Sequence, residues 1–444
     1  MGDDGDDDDD AIAALVRWSV TNGARARGVC ATRDERRGRG LETTRVVAKH
    51  EVVLAVPMTL GIVDEAEGHP VKTREVVRGA PWGARLAMRV MQERAKGSGS
   101  RVAAYVATLP RRVATSPLAY DDDEVDDVQY GPGVSEIRAM REGVRKWYEK
   151  VKAEAPEALG EGDVGYSAFA DAVSVVHSRA YGIAGDNEND GETVGYFRAL
   201  LPLADMMNHG GDVVLDGSED SEPRIAATDN IAWSVLGDDG VISFAATRDI
   251  DEGEEALMSY GERSNDHFLI YYGFAPENNP HDDVVLFSNF EHAMVWHSVA
   301  HPELWNGEDG VVRERAANAA YESVIAALRS DGSPDAKLAA AEPRMKILSA
   351  GRVDARLLSA FAAMFAGTEA SGAADGPVEG DELKFALADV AARCEQLLGG
   401  MPTTLADDFA TLAAGVDDDA QRVRLQYRIS KKKILAETIE MFSL

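Results

Sequence analysis

Apolar positions along the chain follow two periods, and the switch between them outlines its organisation. In "AIAALVRWSVTNGA" Ile12, Leu15 and Val16 recur at helical spacing, and Asn22-Gly23 supplies a C-terminal stop. Short β-like pieces follow, "GVCAT" (Gly28–Thr32) and "EVVLAVP" (Glu51–Pro57), with "RGRGL" (Arg37–Leu41) between them. From Leu86 to Gly160 the pattern is helical, broken by the acidic loop "YDDDEVDDVQYGPG" (Tyr120–Gly133). "GYSAFADAVSVVHSRAYG" (Gly165–Gly182) sets Phe169, Val173 and Val176 on one helical stripe. After the loop Gly185–Thr193, β-like segments return from Ala199 to Tyr260, among them "VISFAAT" (Val241–Thr247) with its alternating pattern.

Beyond Glu291 the texture turns to Ala, Leu and Arg at helical spacing. A low-complexity loop spans Gly367–Glu382, and the last helix carries Tyr427, Ile434, Leu435, Thr438, Ile439 and Phe442 as its apolar set. Lys431, Lys432 and Lys433 within it are expected on a solvated face. The division predicted is an acidic disordered tail (1–10), a mixed α/β catalytic body (11–290) with a helical insert (about 64–165), and an all-helical region (291–444). A chain of 444 residues is long enough for two or three cores.

Charge narrows the partners. With 46 basic and 77 acidic residues the net charge is −31, which repels phosphate backbones and anionic lipid and suits basic protein segments. No nucleic acid and no membrane are therefore expected; the expected partner is a protein, and the expected state a monomer. Cys30 and Cys394 are the only cysteines, too few for a disulfide framework or a multi-cysteine zinc site. They fit a reducing compartment, cytoplasmic or nuclear; a chloroplast would require a transit peptide that this acidic beginning is not. His297 and His301 have a metal-like spacing, but no third ligand is evident, so no metal is expected.

Two stretches carry candidate chemistry. The glycines of "RGRGL" let backbone approach a ligand, although alone they read as a turn. "LPLADMMNHG" (Leu201–Gly210) closes an apolar run on an amide and an imidazole, either capping a turn or facing a ligand that needs both. Farther along comes "DEGEEALMSYGERSNDHFLIYYGFAPENNPHDDVVL".

In this order the three stretches resemble the SET-domain protein methyltransferases. More narrowly they resemble the branch typified by the plant Rubisco large-subunit lysine methyltransferase and the related actin-histidine methyltransferase. The likeness extends through Gly38–Pro57, Ser100–Pro110, "SRAY" (Ser178–Tyr181) and "NNPHD" (Asn278–Asp282) to "RLQYRISKKKIL" (Arg424–Leu435). It implies an α+β fold, a SET domain of small sheets with a threaded pseudoknot and a helical insert, followed by an all-α substrate-binding domain.

The resemblance also implies the roles. Asn208 and His209 would contact S-adenosylmethionine at the threading site, with Asp205, Met206 and Met207 lining the strand before them. Arg37, Gly38 and Arg39 would hold the cofactor from the other side, where relatives often carry acidic and aromatic residues. Arg179 would approach its carboxylate, and Gly273 and Phe274 would complete its wall. Tyr272 is the expected active-site tyrosine and Tyr260 a second hydroxyl beside it. Tyr181 would wall the substrate channel. Because Tyr181 and Tyr272 stand where the histidine-modifying relative has non-aromatic residues, the resemblance favours a lysine of a non-histone protein. The alternatives are a histidine methyltransferase and a non-catalytic SET-like module that binds a partner.

Overall fold

The computed structural model describes residues 4–34, 38–65, 71–160, 162, 164–184, 196–210, 229–236, 240–367 and 380–443. They form two compact units, Met1–Asp127 with Val134–Pro276, and Val128–Gly133 with Glu277–Leu444. The dividing point falls at Pro276 rather than near 290. Strand Asp283–Phe287 pairs with Met345–Leu348 in the second unit, so the segment belongs there despite its β texture.

The first unit has the α+β character expected. Its six-stranded sheet runs Arg25–Ala26, Val52–Pro57, Val241–Ala246, Ile231–Leu236, Leu257–Met258, Asn208–His209. Val241–Ala246 is central, paired antiparallel on both sides, which buries even Ser243, set opposite Ala55 and Ser234. A two-stranded sheet pairs Val29–Asp34 with Gly38–Thr43, and a three-stranded sheet sets Tyr196–Leu200 between Ile62–Val63 and Tyr181–Ala184. Helix Tyr166–Arg179 packs against Trp82–Ala95 and buries Phe169, Val173 and Val176, the predicted stripe. Its end therefore delivers Arg179 and Tyr181 to the sheets.

Helix Asp4–Thr21 takes in much of the acidic run expected to be an unstructured tail. Leu15 anchors this helix in the core.

The second unit is chiefly helical, as expected, with helices Phe290–Ala300, Gly307–Asp331, Pro334–Ala341, Ala355–Ala366, Asp381–Gly399, Leu405–Ala414 and Asp419–Phe442. It also holds the small sheet Asp283–Phe287, Met345–Leu348, Arg352–Val353, which an all-helical reading leaves out. Local chemistry starts several helices. Ser333 caps Pro334–Ala341, Thr404 and Asp407 form a capping box, and Asp418 caps the last helix. No helix among the described residues is long and apolar enough to cross a membrane.

The lysine run overturns its expected place on a solvated face. Lys431 and Lys432 are fully buried. Lys431 donates to Asp282 Oδ1 and to the Asp283 carbonyl, both at 2.7 Å. Lys432 donates to Asp408 Oδ2 at 2.6 Å and to Thr403 and Gln129, while Arg428 holds Asp408 Oδ1 at 2.9 Å. The chain places these carboxylates opposite the run only when folded.

Burial pushes the Asp408 carboxyl up, but the bonds from Lys432, Arg428 and Thr403 outweigh it and hold it below its ordinary value. Its contribution is thus complete above the usual carboxylate range, near pH 4, and is lost as pH falls through the depressed value. Lys432→Met should cost about 3–5 kcal/mol, because it leaves the buried carboxylate with fewer partners. Urea unfolding followed by circular dichroism measures that loss.

Candidate active site

The expected Asn-His pair forms a two-residue strand, and its partner is Leu257–Met258, running parallel. The pairing continues on both sides. Gly210 donates its N–H to the Met258 carbonyl, and Asn230 donates its own to the Leu257 carbonyl. A Cβ on Gly210 would lie 2.7 Å from Leu257 Cβ and 3.0 Å from the Asp229 backbone nitrogen, so the turn residue closing "NHG" is dictated by crowding. The Asn230 side chain brackets the same segment, accepting from Leu257 N and donating to the Glu255 carbonyl.

Asn208 is committed to this scaffold. Its amide donates to Glu255 Oε1 at 2.7 Å and to the Arg39 carbonyl at 3.2 Å. A Cβ on Gly40 would stand 2.6 Å from that carboxylate oxygen and 3.2 Å from the Asn208 amide nitrogen, so a side chain there would press on this hydrogen bond. Arg39 sends its guanidinium to the Thr108 carbonyl at 2.8 Å. Gly38 opens the strand in an exposed position, and Arg37 lies outside the described residues.

His209 accepts from Tyr260 N through Nδ1 at 3.1 Å, which leaves the hydrogen of the neutral ring on Nε2. Its ring lies among Tyr260, Phe268 and Phe274, with centroids 5.2, 4.7 and 6.0 Å away. Tyr260 in turn stacks on Tyr272 at 5.0 Å and 28°. Phe268–Tyr272 is a π-helical turn that Gly273 closes, which turns Phe274 back toward Tyr260 and Tyr272.

Beside this aromatic group opens a cleft of about 320 Å³. Of the expected residues, Arg179, Tyr181, Asp205, Met207, Tyr260 and Tyr272 line it. Met206 packs into the core, and Asn208, His209, Gly273 and Phe274 do not line the cleft. Hydroxyls on the cleft wall are aimed at the backbone before the Asn-His pair. Tyr260 donates to the Met207 carbonyl and Tyr181 to the Ala204 carbonyl, each at 2.7 Å. Burial raises both phenols above their ordinary values, so both stay protonated. The Tyr181 ring stands edge-on to Trp233 at 5.9 Å.

Arg179 donates to the Asp205 carbonyl at 2.8 Å and lies 3.6 Å from its carboxylate, and Tyr105 donates to Asp205 Oδ2 at 3.0 Å. Burial raises the Asp205 carboxyl against the pull of Arg179. Two buried atoms here lack hydrogen-bond partners, Asp205 Oδ1 and Arg179 Nε. A buried acceptor and donor left unpaired on a cleft wall are costly unless a ligand meets them.

Glu255, Tyr105, His177 and Met258 belong to this arrangement without having been foreseen. Glu255 carried a weak signal, a second carboxylate just before an apolar pair in "GEEALM", whereas Tyr105 is the tyrosine of the family-like stretch Ser100–Pro110, to which no site role was assigned. His177 contacts Trp82 and Tyr271 at 5.1 and 5.0 Å, and burial lowers its pKa to about 4.

The fold has relatives among known proteins. Residues 336–435 match the family model described as Rubisco LSMT substrate-binding. The solved SET domain of LSMT bound to lysine and AdoHcy superposes with a TM-score of 0.65 at 18% identity, covering 98% of this chain and 91% of that one. Rubisco LSMT bound to AdoMet gives the same score at 18% identity, covering 97% and 91%. The fold is that of the SET branch typified by the Rubisco methyltransferase. The actin-histidine N-methyltransferase of Canis lupus familiaris is 29% identical over 286 residues, 62% of this chain and 45% of that protein. Its Homo sapiens counterpart is 28% identical over 286 residues, 62% and 44%. The chain thus spans less than half the length of these curated relatives.

Two outcomes follow for the SET unit. Asn208→Ala should lower its stability by about 1–2 kcal/mol, because Glu255 and the Arg39 carbonyl each lose a donor; differential scanning calorimetry reads the shift. His177 binds a proton near pH 6.5 when unfolded but only near 4 when folded, so stability is complete above 6.5 and falls as pH drops between these values. His177→Gln should flatten that decline in a pH series of melting curves.

Proposed function

We propose that this chain is a protein methyltransferase that uses S-adenosylmethionine and acts on the side-chain nitrogen of a lysine in a non-histone protein. The observation that carries the reading is the meeting of the stacked Tyr260–Tyr272 pair with the Asn208–His209 strand at a cleft holding an unpaired acceptor and donor. Solved structures of the same fold carry AdoMet or AdoHcy with lysine, which supports both cofactor and target.

The cofactor, when bound, supplies a sulfonium methyl that is already electrophilic, so the protein's task is alignment and the exclusion of water. Arg179 Nε is the donor left for its carboxylate, and the Tyr260 and Tyr272 rings, packed against His209 and Phe274, offer an aromatic wall. Tyr181, Trp233 and Tyr272 flank a slot suited to an aliphatic stem, and Asp205 Oδ1 accepts from the N–H of the incoming nitrogen. Lysine enters as an ammonium, with pKa near 10.4, and must lose a proton to water before it can attack. The Arg179 cation and an apolar surround favour that loss. The Tyr260 oxygen, its hydrogen given to Met207, keeps its lone pairs toward the cleft, where a polarised methyl makes C–H···O contacts.

A histidine target is the second reading, favoured by the names of the curated relatives. An imidazole would use the same acceptor and the same aromatic walls. Incubating a lysate with methyl-labelled cofactor and hydrolysing the labelled protein separates the two. Methyllysine supports the first reading, methylhistidine the second, and no transfer together with no cofactor binding by calorimetry removes both.

Tyr260→Phe should slow single-turnover methyl transfer roughly 30- to 150-fold, the value of one oriented hydrogen bond of about 2–3 kcal/mol in a dry site. Cofactor affinity should change little, since the ring remains. Wild-type rates in both Tyr260→Phe and Tyr272→Phe would leave the pair as wall residues only.

A further inference from the structure

We propose that His297, His301 and Asp389, in the helical unit, form a binding site for a divalent transition-metal ion such as zinc. His297 lies on helix Phe290–Ala300, His301 just past its end, and Asp389 on helix Asp381–Gly399. Sequence spacing pairs the two histidines; folding supplies the third residue from a helix farther along the chain. One donor atom from each lies within 4.8 Å of the others. His301 Nε2 is 2.8 Å from Asp389 Oδ1, and His297 Nε2 is 3.4 Å from Asp389 Oδ2. Tetrahedral zinc with bonds of about 2.0–2.1 Å sets neighbouring donors roughly 3.3 Å apart, so the two histidine–carboxylate distances are near ligand spacing, while the widest separation in the trio, up to 4.8 Å, has to close on the ion.

Three further observations point to a cation here. His297 is fully buried, Asp389 is nine-tenths buried, and His297 Nε2 and Asp389 Oδ2 both lack hydrogen-bond partners. The trio is enclosed by Phe361 and Phe365, whose rings lie 5.0 and 5.4 Å from that of His297, so the carboxylate has little access to water. His301 Nδ1 faces Glu303 at 3.5 Å, the outer carboxylate that commonly orients a metal-bound imidazole.

Two contacts must change. The hydrogen that His301 Nε2 gives to Asp389 Oδ1 has to leave that nitrogen, because a metal takes its lone pair. Trp305 donates its indole N–H to His297 Nδ1 at 3.1 Å, which leaves the ring hydrogen on Nε2. Metal at Nε2 requires that hydrogen on Nδ1, where it would oppose the indole N–H. Trp305 therefore has to turn away, giving up one neutral hydrogen bond worth roughly tenfold in an equilibrium constant. Zinc sites in proteins exceed that by many orders of magnitude, so the ion wins the competition.

The test is titration of the full-length, chelator-treated chain with zinc(II) and, separately, cobalt(II). We expect one ion per chain, intense visible absorption from four-coordinate cobalt, a zinc-induced rise in melting temperature and a change in tryptophan emission. Asp389→Asn and His301→Gln should each weaken zinc binding at least 100-fold. Trp305→Phe should abolish the emission change yet bind zinc about tenfold more tightly, because the opposing donor is gone. Should Asp389→Asn fail to fold, the half-buried His301→Gln and the wild-type cobalt spectrum still decide. Absence of a stoichiometric ion, or zinc affinity unchanged in the folded variants, as adventitious binding by other acidic groups would give, overturns the site.

Discussion

The parallel pairing of Asn208 and His209 with Leu257 and Met258 joins segments far apart in sequence, and the groups of the cleft are placed from it. Because the pair lies in a sheet, the Asn208 amide is held where it can reach both Glu255 and the backbone of the glycine-rich strand. Because Met207 immediately precedes it, the carbonyl that receives the Tyr260 hydroxyl is fixed as well. The short strand also explains its own composition. A residue larger than glycine at 210 would collide with Leu257, and one larger than glycine at 40 would press on the hydrogen bond between Asn208 and Glu255. What looks like a ligand-binding motif is in part a device for passing one length of chain tightly against another.

This changes how the motif residues divide their work. Asn208 acts through the scaffold, tying two strands together, whereas His209 offers a ring to the aromatic group around Tyr260, Phe268 and Phe274. Arg179, expected to wait for an anion, already binds Asp205, yet its Nε and one carboxylate oxygen of that pair stay unsatisfied. An ion pair that keeps one donor and one acceptor in reserve suits a site that must receive both charges of a zwitterion or an anion and an amine. The phenols around it are kept protonated by burial, so they serve as oriented dipoles rather than as bases.

The helical unit depends on another kind of constraint, charge taken out of water. Lys431, Lys432 and Arg428 are buried with Asp282 and Asp408, each cation meeting a carboxylate at hydrogen-bond distance. Such pairs are retained at a cost in desolvation and give the packing of the last helix a single solution, since a slip in register would bury unpaired charge. Residues 336–435, the part that matches the substrate-binding family model, include this network's cationic side. The exposed-face reading of the lysines failed because their partners lie far away in sequence, and local composition carries no information about them.

Periodicity and turn chemistry in the sequence determined the helices with strong apolar stripes, such as Tyr166–Arg179, and the alternation of short strands in the first unit. Resemblance to a known family, carried by the order of the glycine-rich stretch, the Asn-His pair and the paired tyrosines, identified the fold, while the helices and strands followed from pattern. Those features are local: they depend on backbone preferences and on which face of an element is apolar. Tertiary structure alone decided that Tyr105 and Glu255 join the site, that Asp389 meets His297 and His301, and that two lysines are buried. Each of these is a polar contact between residues distant in the chain, and a polar side chain gives no sign in one dimension of whether water or a partner will satisfy it.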